Sequence, residues 1–285
     1  MAKKTAIRIA NIAISLISDI PESDVALPPA YRPFAGSGKP DITLRLRRGA
    51  VDVQAAKEIF DCPPIWRLYR RDKTAIIRLF PGQPGIERTL ILPSSLQDAE
   101  LCFSPTADRF IDPFFGPALE LLMVNLLARG KGVILHACGI ARNGGGILFI
   151  GKSGAGKSTL AELWQREPGI DILSDDRIIV RKKAEALWMY GTPWHGTARF
   201  GSPRRAPIKN LFLIRHGQKN SLVPAKSSRA AAKLLACSFP PHWDAAGMGF
   251  TLDLFNELVT CCPCKELFFR PDRSVVEFLG KGGVL

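Results

Sequence analysis

The sequence predicts an α/β (α+β) protein in two parts, a β-rich N-terminal region over residues 1–110 and an α/β domain over residues 111–285. Three observations predict it. Apolar residues alternate with small or polar ones through much of the first hundred residues, the period-two signature of half-buried strands. From Pro117 onward a helical pattern gives way to short apolar runs. Finally, Gly151-Lys-Ser-Gly-Ala-Gly-Lys157-Ser158 stands between an apolar strand and an amphipathic helix, the setting of a phosphate-binding loop.

Each element has its own signal. Ile12, Ile14 and Leu16 form one alternating run; Ile42, Leu44 and Leu46 form another, with Thr43, Arg45 and Arg47 on the opposite face. Trp66–Tyr69, Ala75–Phe80, Thr89–Leu92 and Leu101–Phe103 read as further strands. Turns such as Pro28-Pro29, Gly36-Ser-Gly38 and Pro63-Pro64 separate them. The character changes near Asp112-Pro113. Pro117–Arg129 then reads as a buried helix closed by Gly130 as its C-cap. Gly132–Ala137 and Gly139–Ala141 are short strands, and Arg142–Gly146 turns the chain into a strand over Ile147–Ile150. A helix is expected over Thr159–Arg166, with strands over Ile170–Leu173 and Ala206–Ile214. Helices follow near Ser228–Cys237 and Thr251–Thr260, then a last strand pair at Leu267–Phe269 and Val275–Leu279.

Composition narrows the class. Hydrophobic residues make up 46% and charged residues 23% of the 285, a globular balance that excludes a disordered chain. Lys and Arg number 39 against 26 acids, a net charge of +13, so anionic partners are expected. No run approaches the roughly 18 apolar residues of a membrane span. Arg8, Asn11, Ser15 and Asp19 interrupt any signal-peptide core. Seven scattered cysteines fit a reducing compartment. The expectation is a soluble cytoplasmic protein with no membrane partner. Cys261-Cys262-Pro-Cys264 has no second Cys/His pair at zinc-site spacing, so it reads as thiols packed at a helix end.

The chemistry concentrates in one segment. Glycines at 151, 154 and 156 let the backbone curl so that amide N–H groups meet phosphate oxygens. Lys157 places a charge on the terminal phosphates, Ser158 offers a hydroxyl to Mg²⁺, and the following helix aims its positive end at the same anion. The predicted nucleotide-binding set is Gly151, Ser153, Gly154, Ala155, Gly156, Lys157, Ser158 and Thr159. Asp175-Asp176 ends the next strand, where an acid can hold Mg²⁺ while its neighbour deprotonates a nucleophile. His136 lies on the preceding strand, where a histidine is by default a packed core residue.

Leu135-His136-Ala-Cys-Gly139, the strand Gly146–Ile150, the loop Gly151–Ser158 and Leu173-Ser-Asp-Asp-Arg177 together resemble the catalytic core of HPr kinase/phosphorylases. Their order and spacing agree over about residues 130–180. The resemblance implies a phosphoenolpyruvate-carboxykinase-like core with a mixed sheet, with ATP and Mg²⁺ as cofactors. It implies Asp175 as general base on an acceptor serine hydroxyl, Ser158 and Asp176 as magnesium ligands, and His136 beside the transferring phosphoryl group. Thr159 stands where those enzymes carry Glu. Tyr190-Gly-Thr-Pro-Trp-His195-Gly, the strand Ala206–Ile214 and the β-rich front half instead resemble a branch of these proteins linked to peptide modification, including lasso-peptide tailoring kinases. That argues against HPr as substrate and against phosphorolysis. Similar kinases assemble, so a homo-oligomer is compatible with the resemblance.

From Ala186 through Trp243 the chain has no acid and nine Lys or Arg residues. Such a stretch could supply Arg204 or Arg205 to transferring charge, or dock an acidic peptide. Phe200 and Phe212 are the aromatic residues between Arg199 and Lys233, which argues against nucleic acid. No Asn-Lys-x-Asp motif marks a GTPase, and no Leu-Ser-Gly-Gly-Gln motif marks a transport ATPase. The leading expectation is a Mg²⁺- and ATP-dependent kinase acting on a serine of a peptide or protein. Two alternatives share the core: a small-molecule kinase, and a nucleotide-gated peptide-binding protein that transfers nothing. Donor identity (ATP, GTP or pyrophosphate) stays open at this stage.

Overall fold

In the computed structural model the period-two patterns become strands of a mixed α/β chain with two mixed sheets. The structure describes residues 3–20, 25–83, 85–103, 114 and 116–281. It divides into two compact units, Met1–Leu126 and Leu127–Leu285. The boundary expected at 110/111 and the change of character at Asp112-Pro113 lie outside the described residues.

The first unit contains β1 (Lys3–Ile9), β2 (Ile12–Ser18), a 3₁₀ helix (Pro29–Phe34), β3 (Ile42–Arg48), β4 (Lys57–Cys62), β5 (Trp66–Arg71), β6 (Thr74–Leu79), β7 (Arg88–Leu92) and β8 (Asp98–Phe103). Its sheet runs β1-β2-β3-β8-β7-β6-β5-β4, with β3 parallel to both β2 and β8. Ile42, Leu44 and Leu46 are buried while Arg45 and Arg47 are exposed, as alternation requires. On β2 the alternation fails, because Ala13 and Ser15 are buried along with Ile12, Ile14 and Leu16. The β1–β2 hairpin turns on Ala10 and Asn11, at φ 50° and 62°. This left-handed pair matches strand twist without the usual glycine, which hid β1 from the sequence.

The helix α1 (Ala118–Leu127) precedes the second unit's strands. That unit holds β9 (Val133–Arg142), β10 (Gly145–Ile150), α2 (Lys157–Gln165), β11 (Asp171–Ser174), β12 (Arg177–Lys183), β13 (Ala186–Tyr190), β14 (Arg205–His216), β15 (Ser221–Pro224), α3 (Ser227–Ala236), α4 (Ala245–Cys261), β16 (Cys264–Phe269) and α5 (Ser274–Lys281). β10 pairs antiparallel with β9 and parallel with β14. The β12–β13 hairpin joins the far parts of β9 and β14. These five strands therefore form a closed hydrogen-bonded circuit.

The apolar run Ile147–Ile150 is buried on both faces, as a strand flanked by helical layers should be. Leu148 and Ile150 pack in one cluster with Leu211, Leu213 and residues of α3 and α4 such as Leu234 and Phe255. Ile147 and Phe149 pack in the other with Phe212, Leu160 and Trp164 of α2, and Val275 and Leu279 of α5.

Three expectations are corrected. Val133–Arg142 makes one strand, because Gly139 is no breaker: a Cβ there would lie 2.6 Å from Ile178 Cδ1, so glycine permits close strand packing. Val275–Leu279 is helical, since Val275, Val276 and Leu279 fall on one buried helix face and the Asp272 side chain accepts from the Ser274 amide at 3.0 Å. The helix expected at Thr251 starts at Ala245, with Asp244 as N-cap accepting from Gly247 N at 3.2 Å. Gly247 and Gly249 masked that first turn.

Trp164 is 1% exposed, and among the described residues its indole N–H has no hydrogen-bond partner. Trp164→Phe removes that orphaned donor and is expected to cost less than about 1.5 kcal/mol in denaturant unfolding, whereas Trp164→Ala is expected to cost about 3–5 kcal/mol through the cavity it leaves.

Candidate active site

β10 delivers the chain into the loop Gly151–Ser158 from the middle of the strand circuit, and α2 carries it away. Gly151 has no room for a side chain: a Cβ would lie 2.7 Å from Ala155 Cβ and 2.9 Å from Ile214 Cγ1. Gly154 and Gly156 take left-handed φ of 77° and 95°, which glycine adopts without strain. Gly156 is the N-cap of α2, and neither a side-chain cap nor an acid occupies the first turn. That leaves first-turn amides for an anion. Ser153 is exposed in the loop, Ala155 N bonds Lys152 O at 3.1 Å, and Thr159 lies in the first turn of α2.

Lys157 is buried. Its Nζ donates to Gly151 O at 2.9 Å and Lys152 O at 3.1 Å, and lies 2.9 Å from His136 Nε2. Burial lowers its pKa, and the nearby Asp176 charge only partly restores it. The β9–β12 register sets Arg177 opposite His136. His136 Nδ1 lies 2.8 Å from Asp176 Oδ1 and 3.2 Å from an Arg177 guanidinium nitrogen. Arg177 also pairs with Asp176 Oδ2, and its guanidinium sits 4.3 Å from the Phe239 ring centroid. The contacts fit a tautomer in which Nδ1–H donates to Asp176 and Nε2 accepts from Lys157. Burial pushes the Asp176 carboxyl up, but the His136 hydrogen bond and the Arg177 charge outweigh it, so the carboxyl falls below the usual range.

Asp175 is 1% exposed and faces the other way. It accepts from Ser158 Oγ at 2.9 Å, Gly196 N at 2.9 Å, Ala198 N at 3.1 Å and Phe200 N at 3.3 Å. The expected tight loop at Gly191–Gly196 therefore belongs to a longer strap hung on this carboxylate. Gly196 permits the approach, since a Cβ would lie 2.7 Å from Asp175 Oδ2. Ser174 Oγ donates to Trp194 O at 3.2 Å, and Thr192 Oγ1 donates to Arg177 O at 2.7 Å. Ser174 Oγ also accepts from the amides of Asp176 and Arg177 at 3.2 and 3.1 Å. That turn sends the two neighbouring acids to different partners.

The structure thus brings His136, Lys157, Ser158, Asp175 and Asp176 together. Ser158 bonds Asp175 and not Asp176. Arg204 instead pairs with Asp171, and Arg205 lies over Trp188 and Tyr190 at 5.2 and 5.9 Å. Arg177 carried no role in the sequence reading, although it directly follows the acid pair. Phe239 left no sequence signal. Among the described residues no group of three or more His, Cys, Asp or Glu side chains is placed to hold a metal, and Cys262 Sγ donates to Ile208 O at 3.6 Å. No helix of the described residues is long and apolar enough to cross a membrane.

Asp175→Asn replaces a pure acceptor of four bonds with a group that must turn a donor toward some of them. The expected outcome is a stability loss of about 1–3 kcal/mol and faster hydrogen exchange at the Gly196, Ala198 and Phe200 amides. Asp176 gives a second expectation. Its folded pKa is depressed, so its stabilisation is complete above the ordinary carboxylate pKa and disappears as pH falls through the lower folded value. Acid titration of unfolding should show a shallower acid limb for Asp176→Asn than for the native chain. Comparison with protein-family models and with curated proteins finds no match for the chain.

Proposed function

We propose that this protein is a Mg²⁺-dependent kinase that transfers the γ-phosphate of ATP to a hydroxyl, a serine of a peptide or protein. The observation that carries the reading is the meeting of two chains of contact on one loop: Ser158 with Asp175, and Lys157 with His136 and Asp176. A strand–loop–helix in the middle of a mixed sheet supports an HPr-kinase-like core. Seven free cysteines support a reducing, cytoplasmic setting.

The residues present fit the cofactor. Ser158 Oγ and the Asp175 carboxylate, 2.9 Å apart, are hard oxygen ligands of the number Mg²⁺ takes from protein when phosphates and water complete its shell. Bound there, Mg²⁺ would neutralise charge building on the phosphate oxygens. The uncapped amides of the α2 N-terminus and the Lys157 ammonium bind the phosphates. Lys157 gives up its bonds to loop carbonyls in exchange for the stronger charge-assisted ones.

In this reading the two acids act in the reverse of the order the resemblance implied. Asp175 is 1% exposed and its oxygens already accept four hydrogen bonds, three of them from backbone amides, so an incoming hydroxyl finds no open position there. Asp176 and His136 have side chains 21 and 22% exposed, within reach of an incoming hydroxyl. The acceptor oxygen bonds phosphorus as the bond to the β-phosphate oxygen breaks, and the hydroxyl proton passes to the Asp176–His136 pair. Arg177 holds that pair in register.

The test is transfer of label from γ-labelled ATP to serine peptides. Lys157→Ala and Asp176→Asn are each expected to lower kcat/KM by about 10²-fold or more. Asp176→Asn should retain nucleotide binding, and Asp175→Asn should weaken the Mg²⁺ dependence. Label on no hydroxyl, with ATP still bound, would replace the kinase by a nucleotide-gated binding protein.

A further inference from the structure

The phosphate loop has a cationic rim that the reaction chemistry does not use. The turn leaving α3 borders the site: Cys237 O accepts from His136 N at 2.7 Å, Ser238 bridges to Leu135, and Phe239 lies under the Arg177 guanidinium. Lys233 stands one helical turn before Cys237, on the same helix face. The Cys237 amide bonds its carbonyl at 3.0 Å. In the phosphate loop Lys152 is exposed, with its carbonyl 3.1 Å from Lys157 Nζ. Burial pushes the Cys237 thiol up, and Lys233, Lys157 and Lys152 all act to lower it, so their fields converge at that point.

The local acids do not neutralise this rim. Asp175 is taken up by Ser158 and the strap amides, and Asp176 by His136 and Arg177. Neither Lys152 nor Lys233 has an ion-pair partner among the described residues. The whole stretch from Ala186 to Trp243 contributes no acid of its own. The nucleotide phosphates account for Lys157 and border Lys152. Lys233 is left without a counter-ion among the described residues, and the acceptor is the molecule that would bring one to this site.

We propose that Lys233, assisted by Lys152, forms a subsite for a carboxylate beside the acceptor hydroxyl, so that the substrate is a peptide carrying Asp or Glu next to its serine. The acceptor role rests on the kinase reading; the charge recognition does not.

Two dye-labelled serine peptides test it, one with Asp and Glu flanking the serine and one with Asn and Gln there. Each is titrated into the full chain with Mg²⁺ and a non-hydrolysable ATP analogue, and label transfer from ATP is measured separately. The acidic peptide is expected to bind about fivefold tighter. Lys233→Ala should remove up to about fivefold of that affinity, the upper end for one exposed ion pair, and Lys233→Glu should reverse the preference. Affinity for a fluorescent ATP analogue should stay unchanged in both variants, which also reports an intact fold. Equal affinity for the two peptides, binding of neither, or an acid preference that survives Lys233→Glu overturns the subsite. Transfer to both peptides with equal efficiency removes the subsite and leaves the kinase. Lys233-dependent, acid-selective binding without transfer keeps the subsite and removes the kinase.

Discussion

A buried carboxylate organises this site. Taking an ionised Asp175 out of water costs several kcal/mol unless its oxygens are met by donors, and here one hydroxyl and three amides meet them. Those donors come from separate stretches of chain: Ser158 from the start of α2, and Gly196, Ala198 and Phe200 from the strap after β13. One side chain therefore ties the phosphate loop to the segment carrying Trp194 and His195. Removing it would leave four donors orphaned at once, which makes the strap's conformation conditional on that charge. The strap and the phosphate loop are coupled through a shared acceptor.

A different constraint acts on Lys157. Its ammonium is buried, its pKa is lowered by that burial, and it shares a short contact with His136 Nε2. Two groups that both take protons can stand 2.9 Å apart when one is charged and the other accepts. Asp176 enforces this arrangement by claiming the His136 Nδ1 proton, and Arg177 holds Asp176 in place by an ion pair and a cation–π contact with Phe239. Each member sets the protonation state or orientation of the next. The result is a positive charge at the loop and a proton acceptor beside it, built from residues on β9, α2 and the β11–β12 turn.

Much of this was legible in the sequence, and the rest was hidden for identifiable reasons. The spacing of Gly151, Gly156, Lys157 and Ser158 carries its own geometry, because left-handed turns and phosphate contacts leave few alternatives. The continuous apolar run before it marked a strand buried on both faces. The partners of Asp175 were hidden because they are backbone amides, whose identity no side chain reports. Arg177 was hidden because its meaning depends on a strand register with His136 41 residues earlier. The β12–β13 hairpin escaped because its strand Arg177–Lys183 ends in the charged run Arg181-Lys182-Lys183, which breaks the apolar alternation. α5 was mistaken for a strand because β-branched Val275 and Val276 favour sheet locally, whereas a helical face buried beside α2 overrides that preference.

Adjacent acids of like type invite the assumption that they are interchangeable, and the turn after β11 shows why they are not. The Ser174 hydroxyl accepts the amides of Asp176 and Arg177, closing a bend whose two carboxylates part. One goes inward to a hydroxyl and amides, where it is dry and fully met by donors. The other goes toward His136 at the rim, where it stays partly wet and bound to groups that move protons. Sequence proximity keeps the two carboxylates at one site, and the bend keeps their partners apart. A single residue could not do both, since the donors that hold a buried carboxylate in place occupy the lone pairs that an incoming group would need.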